Sequence, residues 1–156
     1  MRIEEGWLKK ARRVVSPNQD ARPAGEVSAV VLHSISLPPG EFGGEHIERL
    51  FTNRLGAAAH PYFGGIAQLR VSAHLLIRRD GECVQFVPFD RRVASYPTYT
   101  SKSLIFSVSG IRAVGRLQAG NKMVSPWQIF WLCFLADENK ALPSKQIQIT
   151  KESSRL

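Results

Sequence analysis

Acidic residues, histidines and cysteines are scarce in parts of this chain, and each scarcity limits what the protein can be. No Asp or Glu lies between Asp90 and Asp137, and no histidine follows His74. The two cysteines, Cys83 and Cys133, form no CxxC pair, which excludes a disulfide framework and a zinc ribbon. No apolar run reaches the roughly 18 residues that indicate a membrane-spanning helix. The 156 residues, 44% of them hydrophobic, therefore predict one globular domain with its own core.

The missing acids concentrate positive charge in the second half. Residues 1–92 carry 13 Lys and Arg against 10 Asp and Glu, whereas residues 93–156 carry 8 against 3. The formal net charge of +8 is compatible with an acidic partner, but no basic–aromatic cluster or nucleic-acid recognition motif accompanies it. A basic nucleic-acid-binding domain is therefore the least favoured alternative. Glu4 and Glu5 lie where a signal peptide needs apolar residues, and with the unpaired cysteines they predict a cytoplasmic protein.

Hydrophobic periodicity in the first half predicts a sheet covered by a helix. Residues 27–33 and 71–77 are short apolar runs typical of buried strands. Between residues 47 and 55 apolar side chains recur at three- and four-residue spacing, which predicts a surface helix. The Asp80-Gly81 pair, followed by alternating residues up to 87, predicts a β-hairpin.

The second half carries weaker patterns. Residues 93–104 have no clear period and predict a loop, and residues 105–114 predict a strand around Gly110. Ser125-Pro126 is typical of a helix start. Residues 127–136, which are apolar on every side, predict a fully buried helix.

Several sequence blocks between residues 4 and 92 follow one another nearly without gaps and together form a family pattern. They are Glu5-Gly6-Trp7-Leu8, Ala11-Arg12-Arg13, Ser16-Pro17-Asn18, Asp20-Ala21-Arg22-Pro23, Val31-Leu32-His33-Ser34-Ile35, Ser36-Leu37-Pro38-Pro39-Gly40-Glu41-Phe42-Gly43-Gly44, His60-Pro61-Tyr62-Phe63, Leu69-Arg70-Val71-Ser72-Ala73-His74, Arg78-Arg79-Asp80-Gly81-Glu82 and Val87-Pro88-Phe89-Asp90. These blocks resemble the anhydro-N-acetylmuramoyl-L-alanine amidases of cell-wall recycling, the AmpD type. The block at residues 36–44 is the most specific of them.

The resemblance implies a zinc hydrolase that cleaves the amide between the lactyl group of anhydromuramic acid and L-alanine in a muropeptide. It also implies an α/β fold, in which a mixed β-sheet is flanked by helices as in amidases and peptidoglycan-recognition domains. In this family two histidines and an aspartate hold the zinc, which leaves the fourth position open for a water whose pKa falls towards about 7. A carboxylate and a positive group then handle the proton and the oxyanion.

Three positions match functional residues of the family. His33 matches its first zinc ligand, Tyr62 matches a tyrosine of the active-site cleft, and Arg70 matches an arginine that contacts the muropeptide. A guanidinium suits a carboxylate because it donates two parallel hydrogen bonds. The structural alternatives are a core histidine, a half-buried aromatic residue and a surface arginine. Ser34 stands where the family commonly has a substrate-contacting asparagine.

The other histidines and the acids of the hairpin have simpler interpretations. His74 lies in a predicted strand and is interpreted as structural, His46 as a surface residue and His60 as a loop residue. Asp80 and Glu82 flank the hairpin turn and are expected to be solvated.

The remaining catalytic groups that the resemblance implies have no counterpart. The second zinc histidine, the ligand aspartate and a lysine belong to a pattern His-x-x-x-Ala-Pro and Lys-x-Asp-Pro-Gly, which does not occur here. The family's catalytic glutamate follows a stretch such as Asp-Phe-Ser-Ile-Gly-Ile, and the nearest match, residues 106–115, has Arg112 in its place. We therefore interpret residues 1–92 as the N-terminal part of a single amidase domain and residues 93–156 as a divergent or incomplete tail.

The resemblance is lost abruptly after Arg92, where the family continues with Trp-His. Codons for Val93-Ala94-Ser95 can encode Trp-His one nucleotide further on, so a shifted reading frame is our hypothesis for residues 93–156. Two functional interpretations stay open. One is an active zinc amidase, with His74 as a second ligand. The other, which we favour, is a catalytically impaired family member, either a muropeptide-binding remnant or a nonfunctional product. Neither predicts an oligomeric state.

Overall fold

A computed structural model of the chain describes residues 2–22, 27, 29–94, 103–109, 117–119 and 122–124. Its strands, in chain order, are β1 (Ile3–Glu4), β2 (Trp7–Leu8), β3 (Arg12–Arg13), β4 (Gln19–Ala21), β5 (Ala29–Ile35), β6 (Leu75–Ile77), β7 (Cys83–Gln85), β8 (Arg91–Val93), β9 (Ser103–Ser109), β10 (Leu117–Ala119) and β11 (Lys122–Val124). Helix α1 spans His46–Phe51, and two 3-10 helices span Ala57–Ala59 and Pro61–Gly65. Within these ranges no helix has both the length and the apolar surface needed to cross a bilayer.

Five strands form one mixed sheet in the order β3-β7-β6-β9-β5. Strands β6, β9 and β5 run parallel, β7 runs antiparallel to β6, and β3 is parallel to β7. The pairs β1–β2, β4–β8 and β10–β11 form separate antiparallel sheets. The mixed sheet confirms the predicted α/β class. Strand β9, which lies beyond the blocks at residues 4–92, occupies an inner position between β6 and β5.

The five-stranded sheet is packed on both faces. Leu76 and Ile105 belong to a larger apolar cluster, which also contains the buried residues of α1. Their strand neighbours Leu75, Leu104 and Phe106 belong to a smaller cluster on the other face. Successive side chains of a strand point to opposite faces, so both clusters depend on β9. Helix α1 covers the face of the larger cluster.

The predicted strands at residues 27–33 and 71–77 exist, but their bounds differ. Strand β5 continues to Ile35, so His33 lies inside it and not at its end. The second strand is shortened to β6, because the carbonyl oxygen of Val71 accepts a hydrogen bond from the side chain of Asn18 at 2.8 Å. Main-chain pairing begins only at His74, whose N–H donates to the Ile105 carbonyl at 2.8 Å.

The helix predicted over residues 47–55 ends early, whereas the predicted hairpin is confirmed. Helix α1 stops at Phe51, and Asn53 takes a left-handed φ of 59°, a conformation that Asn tolerates at helix ends. Strands β6 and β7 pair antiparallel around a tight turn, in which the Gly81 N–H donates to the Arg78 carbonyl at 3.0 Å. Gly81 has a φ of 90°, as expected of a three-residue hairpin loop that ends in a left-handed glycine.

The predictions for the second half are met in part. Of the predicted loop at 93–104, Val93 belongs to β8 and residues 103 and 104 belong to β9, whereas residues 95–102 lie outside the described residues. The strand predicted at 105–114 is β9, which begins earlier because it pairs with β5 along its whole length. Residues 110–114 and the predicted helix at 127–136 lie outside the described residues.

Candidate functional site

The strand that carries His33 is the direct neighbour of the segment that resembles the family's glutamate-bearing strand. In the parallel pairing of β5 and β9, position 33 lies opposite Ser107, and position 34 lies opposite Val108. Ser34 is exposed and Ser107 is fully buried. The carboxyl ends of the parallel strands β5, β9 and β6 meet at one edge, where α/β folds commonly bind ligands. His33 comes shortly before that edge.

Tyr62 and Arg70 lie on one continuous segment, residues 54–70, between α1 and the buried run that leads to β6. Tyr62 belongs to the second 3-10 helix, which His60 caps by accepting the Tyr62 N–H on its ring Nδ1 at 3.1 Å. The ring of Tyr62 is half-buried against the larger cluster, as is Ile35 of β5. The side chain of Arg70 is exposed. The structure thus brings Tyr62 and the end of β5 to the same core and leaves the Arg70 guanidinium accessible.

The two histidines near this segment have different roles. His60 is a loop residue that caps a helix, as predicted. His46, which was predicted to be a surface residue, is half-buried, and its ring centroid lies 4.9 Å from that of Phe63. Phe63 is fully buried and also contacts the His60 ring at 5.2 Å. The prediction for His46 was wrong because Phe63, which is far away in sequence, packs against it.

His74 is structural, as predicted, and the pattern of its hydrogen bonds fixes its tautomer. It is fully buried, and its Nδ1 accepts the Ile105 N–H at 2.9 Å. A backbone amide can only donate, so the ring proton is on Nε2, which lies 3.1 Å from the Arg91 carbonyl and donates to it. Burial lowers the pKa of His74 to about 4, and the nearby guanidinium of Arg22 acts in the same direction. The neutral imidazole therefore ties β9 to β8.

The described residues do not provide a complete zinc site. Nowhere among them do three His, Cys, Asp or Glu side chains come together in a group that could hold a metal ion. His74, the alternative second ligand, already uses both ring nitrogens for backbone partners. A catalytic zinc needs three protein ligands, so the donor set of this part of the chain does not fit one.

Four charged side chains from three separate segments form a network at the side of α1. Glu48 accepts hydrogen bonds from Arg12 and Arg78, and Glu82 accepts one from Arg12 Nε at 2.7 Å. Only 13% of the Glu48 side chain and 15% of the Arg78 side chain are exposed. The hydrogen bond from Arg12 is the main reason why the pKa of Glu48 is lowered. Glu82, which was expected to be solvated, has a side chain that is 38% exposed but that also pairs with Arg12 and Arg78. Asp80 is exposed and caps the turn by accepting the Glu82 N–H at 2.9 Å.

Replacing Glu48 with Gln should lower the free energy of unfolding by about 2 kcal/mol at neutral pH, because Arg78 would keep a charge that is mostly buried. The same substitution at Glu45, whose pair with Arg49 on the same helix is exposed, should cost about 0.5 kcal/mol or less. The pKa of Glu48 is lower in the folded chain than in the unfolded chain. Its contribution to the free energy of unfolding is therefore fully present at a pH above the pKa in the unfolded chain, and it is lost as the pH falls through the pKa in the folded chain. Urea unfolding of both variants measures the difference, and equal losses would contradict it.

Sequence reasoning missed the polar residues that hold the segment at residues 54–70. Asn18 and Ser16 are buried, although they lie in a stretch with the composition of an exposed turn. Ser16 Oγ donates to the Phe51 carbonyl at 2.6 Å, and Asn18 bonds to the side chain of Asn53. An asparagine just after a helix is a signal for a left-handed cap, which could have drawn attention to Asn53. Asn18 belongs to the family block Ser16-Pro17-Asn18, but nothing local marks its contacts with Asn53 and Val71.

Comparison with known proteins supports the resemblance. The chain is 64% identical over 93 residues to the 1,6-anhydro-N-acetylmuramyl-L-alanine amidase AmpD of Citrobacter freundii, 61% over 93 residues to that of Escherichia coli K12, and 46% over 91 residues to that of Haemophilus influenzae. These matches cover 59%, 59% and 58% of this chain and 50%, 51% and 50% of the relatives. The chain thus spans about half the length of the curated relatives that it matches.

Solved structures resemble the chain over a longer stretch. A crystal structure of a selenomethionine AmpD derivative superposes with a TM-score of 0.71 at 45% identity, covering 85% of this chain and 75% of that one. The solution structure of Citrobacter freundii AmpD gives a TM-score of 0.51 at 41% identity, covering 96% and 81%. The sequence profile described as N-acetylmuramoyl-L-alanine amidase matches residues 23–148, a range that contains His33, Tyr62 and Arg70. The chain therefore belongs to the N-acetylmuramoyl-L-alanine amidase family.

Proposed function

We propose that this chain binds the anhydromuropeptides of peptidoglycan recycling, and that its ability to hydrolyse their amide bond is impaired. The observation that carries the proposal is the segment at residues 54–70, which presents a half-buried Tyr62 and an exposed Arg70. It is supported by the amidase relatives, which are named for an anhydromuramyl-L-alanine substrate. A cytoplasmic site of action is part of the proposal, supported by the low cysteine content, since two cysteines are too few for the disulfide framework typical of small secreted domains.

The side chains of this segment and of β5 supply binding and orientation. The exposed Arg70 guanidinium can hold a peptide carboxylate through two parallel hydrogen bonds. Tyr62 offers a ring face for apolar contact and a hydroxyl for a hydrogen bond. Ser34, exposed on β5, offers a short hydroxyl where the resemblance expects an amide, so its contact with the substrate has less reach.

The proposed impairment is supported by the donor set of the described residues. In amidases of this type, zinc supplies an activated water when it is bound. The described residues of this chain do not assemble three ligands, so we assign no hydrolytic step to them. Residues 93–156 form the divergent part of the same domain in this proposal. A zinc-dependent amidase with its full activity is the alternative.

Calorimetric titration with a purified anhydromuropeptide tests the binding. We expect the full-length chain to bind, and Arg70→Ala to weaken the affinity by roughly tenfold or more, which is the effect of losing a hydrogen-bonded charge. Arg79→Ala is the matched control, since Arg79 is exposed but stacks on Phe42, with its guanidinium carbon 3.8 Å from the ring centroid.

Metal analysis and a peptide-release assay on the same preparation test the impairment. We expect less than one zinc per chain and no release of peptide from the anhydromuropeptide. One bound zinc per chain together with peptide release would establish the active amidase instead. Absence of binding by the unmodified chain would refute the proposed function.

A further inference from the structure

Asn18 is hydrogen-bonded to both ends of the segment that carries Tyr62 and Arg70. Its Nδ2 donates to Asn53 Oδ1 at 2.9 Å, just before the segment begins, and to the Val71 carbonyl oxygen at 2.8 Å, just after it ends. Its Oδ1 accepts from Asn53 Nδ2 at 3.0 Å. One side chain therefore closes residues 54–70 into a loop.

The partners fix the orientation of this amide. The Val71 carbonyl oxygen has no proton to donate, so the atom of Asn18 that faces it must be the NH2 group. Both Nδ2 hydrogens and the Oδ1 oxygen are then used, in a side chain that is only 6% exposed. Removing such a buried amide leaves its partners without their hydrogen bonds, which costs more than the net value of the bonds themselves.

The clamp is itself attached to the rest of the fold. The Asn18 N–H donates to Ser16 Oγ at 3.1 Å, and the Asn18 carbonyl accepts the Ala94 N–H at 2.9 Å. Ser16 is fully buried and donates to the carbonyl of Phe51, the last residue of α1, at 2.6 Å. Asn18 is therefore anchored to the N-terminal segment, to α1 and to the end of β8.

We propose that Asn18 is a positioning residue of the muropeptide site, which acts by holding Tyr62 and Arg70 at a fixed spacing. The inference rests on the proposed function for the identity of the ligand. A segment that is ordered before binding does not have to be ordered by the ligand, so holding it closed strengthens binding without touching the ligand.

Limited proteolysis of the full chain tests the clamp without any ligand. Trypsin cleaves after Arg54 and Arg70, which are exposed and lie at the two ends of the segment. Asn18→Ala should raise the cleavage rate at both bonds roughly tenfold, because local opening becomes easier by the loss of buried hydrogen bonds. Asn53→Gly keeps the left-handed backbone and the bond from Asn18 to Val71, so it should loosen chiefly the Arg54 end.

Gln85→Ala is the matched control for a general loss of stability. Gln85 is a fully buried amide whose side chain bonds to the main chain of Leu8, Gly6 and Val87, and none of these three partners lies in residues 54–70. Its removal should change cleavage after Arg54 and Arg70 by about twofold or less. Equal acceleration by Gln85→Ala and Asn18→Ala would overturn the proposal, since it would show only global destabilisation.

A double-mutant cycle with the anhydromuropeptide tests whether Asn18 acts through Arg70. Asn18→Ala should weaken binding roughly fivefold in the unmodified chain and by about twofold or less in the Arg70→Ala background, because residues that act together are not additive. A full effect in both backgrounds would overturn the positioning role. If the unmodified chain does not bind the ligand, the proposed function fails, and the proteolysis still decides whether Asn18 holds the segment.

Discussion

Replacing Phe106 with Ala should lower the free energy of unfolding by about 3–5 kcal/mol, a large share of the about 5–15 kcal/mol that holds a domain folded. Phe106 lies in β9, is 1% exposed and belongs to the smaller apolar cluster with Leu75 and Leu104. Its ring centroid lies 6.1 Å from that of Phe89. Removing the ring leaves a cavity between strands that are fixed by their neighbours. Denaturant unfolding followed by circular dichroism measures the loss.

This substitution also tests whether β9, which lies in the second half of the chain, takes part in the fold. Phe42→Ala is the matched control, because Phe42 is 39% exposed and its main contact is the stacked guanidinium of Arg79. We expect it to cost about 1 kcal/mol or less. If both alanine variants lost the same stability, β9 would not be part of the folded sheet.

Local signals made parts of the fold predictable, and the long-range pairing made other parts unpredictable. The hairpin around Gly81 was predicted because its turn chemistry lies within a few residues. The end of β5 at Ile35 was not, because it is set by β9, which continues its pairing as far as Ser109. Residues 105–109 were predicted as part of a strand, but their inner position was not, because β5 and β6 supply the partners on both sides. Pairing between distant segments thus decided the strand bounds.

In the candidate site, too, local sequence identified some residues, whereas contacts between distant segments were missed. His33, Tyr62 and Arg70 were named because each belongs to a contiguous block that resembles a family. Their roles as ligand and binding residues stay predictions. Asn18 lies in a family block, but its role was missed because its partners Asn53 and Val71 are distant in sequence. The bond from Arg12 to Glu82 was missed for the same reason. A sequence block thus identifies the residues of a family pattern more readily than the long-range contacts that hold them in place.

Protonation of His74 should lower the free energy of unfolding by about 3 kcal/mol as the pH falls from 6.5 to about 4. The pKa of His74 falls from its ordinary value of 6.5 to about 4, chiefly because the ring is buried, and each pKa unit corresponds to about 1.4 kcal/mol. In this range the His74 ring binds a proton in the unfolded chain but stays neutral in the folded chain. The free energy of unfolding therefore falls as the pH falls. Below the folded value both states are protonated and the loss levels off. Denaturant unfolding over a series of pH values measures the slope.

Comparison of the unmodified chain with His74→Gln isolates the titration of His74 from that of all other groups, because glutamine is neutral throughout this pH range. The variant should be less stable than the unmodified chain at neutral pH, since the geometry of the bonds to Ile105 and Arg91 is disturbed, but the gap should close as the pH falls. Acidic groups such as Glu48 titrate in both proteins, so their contribution cancels in the difference. Protonation would also add a charge beside Arg22, whose Nη2 lies 3.1 Å from Nε2, and would remove the Nδ1 lone pair that accepts from β9. A gap that stayed constant with pH would mean that His74 does not titrate with the fold, and that acid weakens this domain elsewhere.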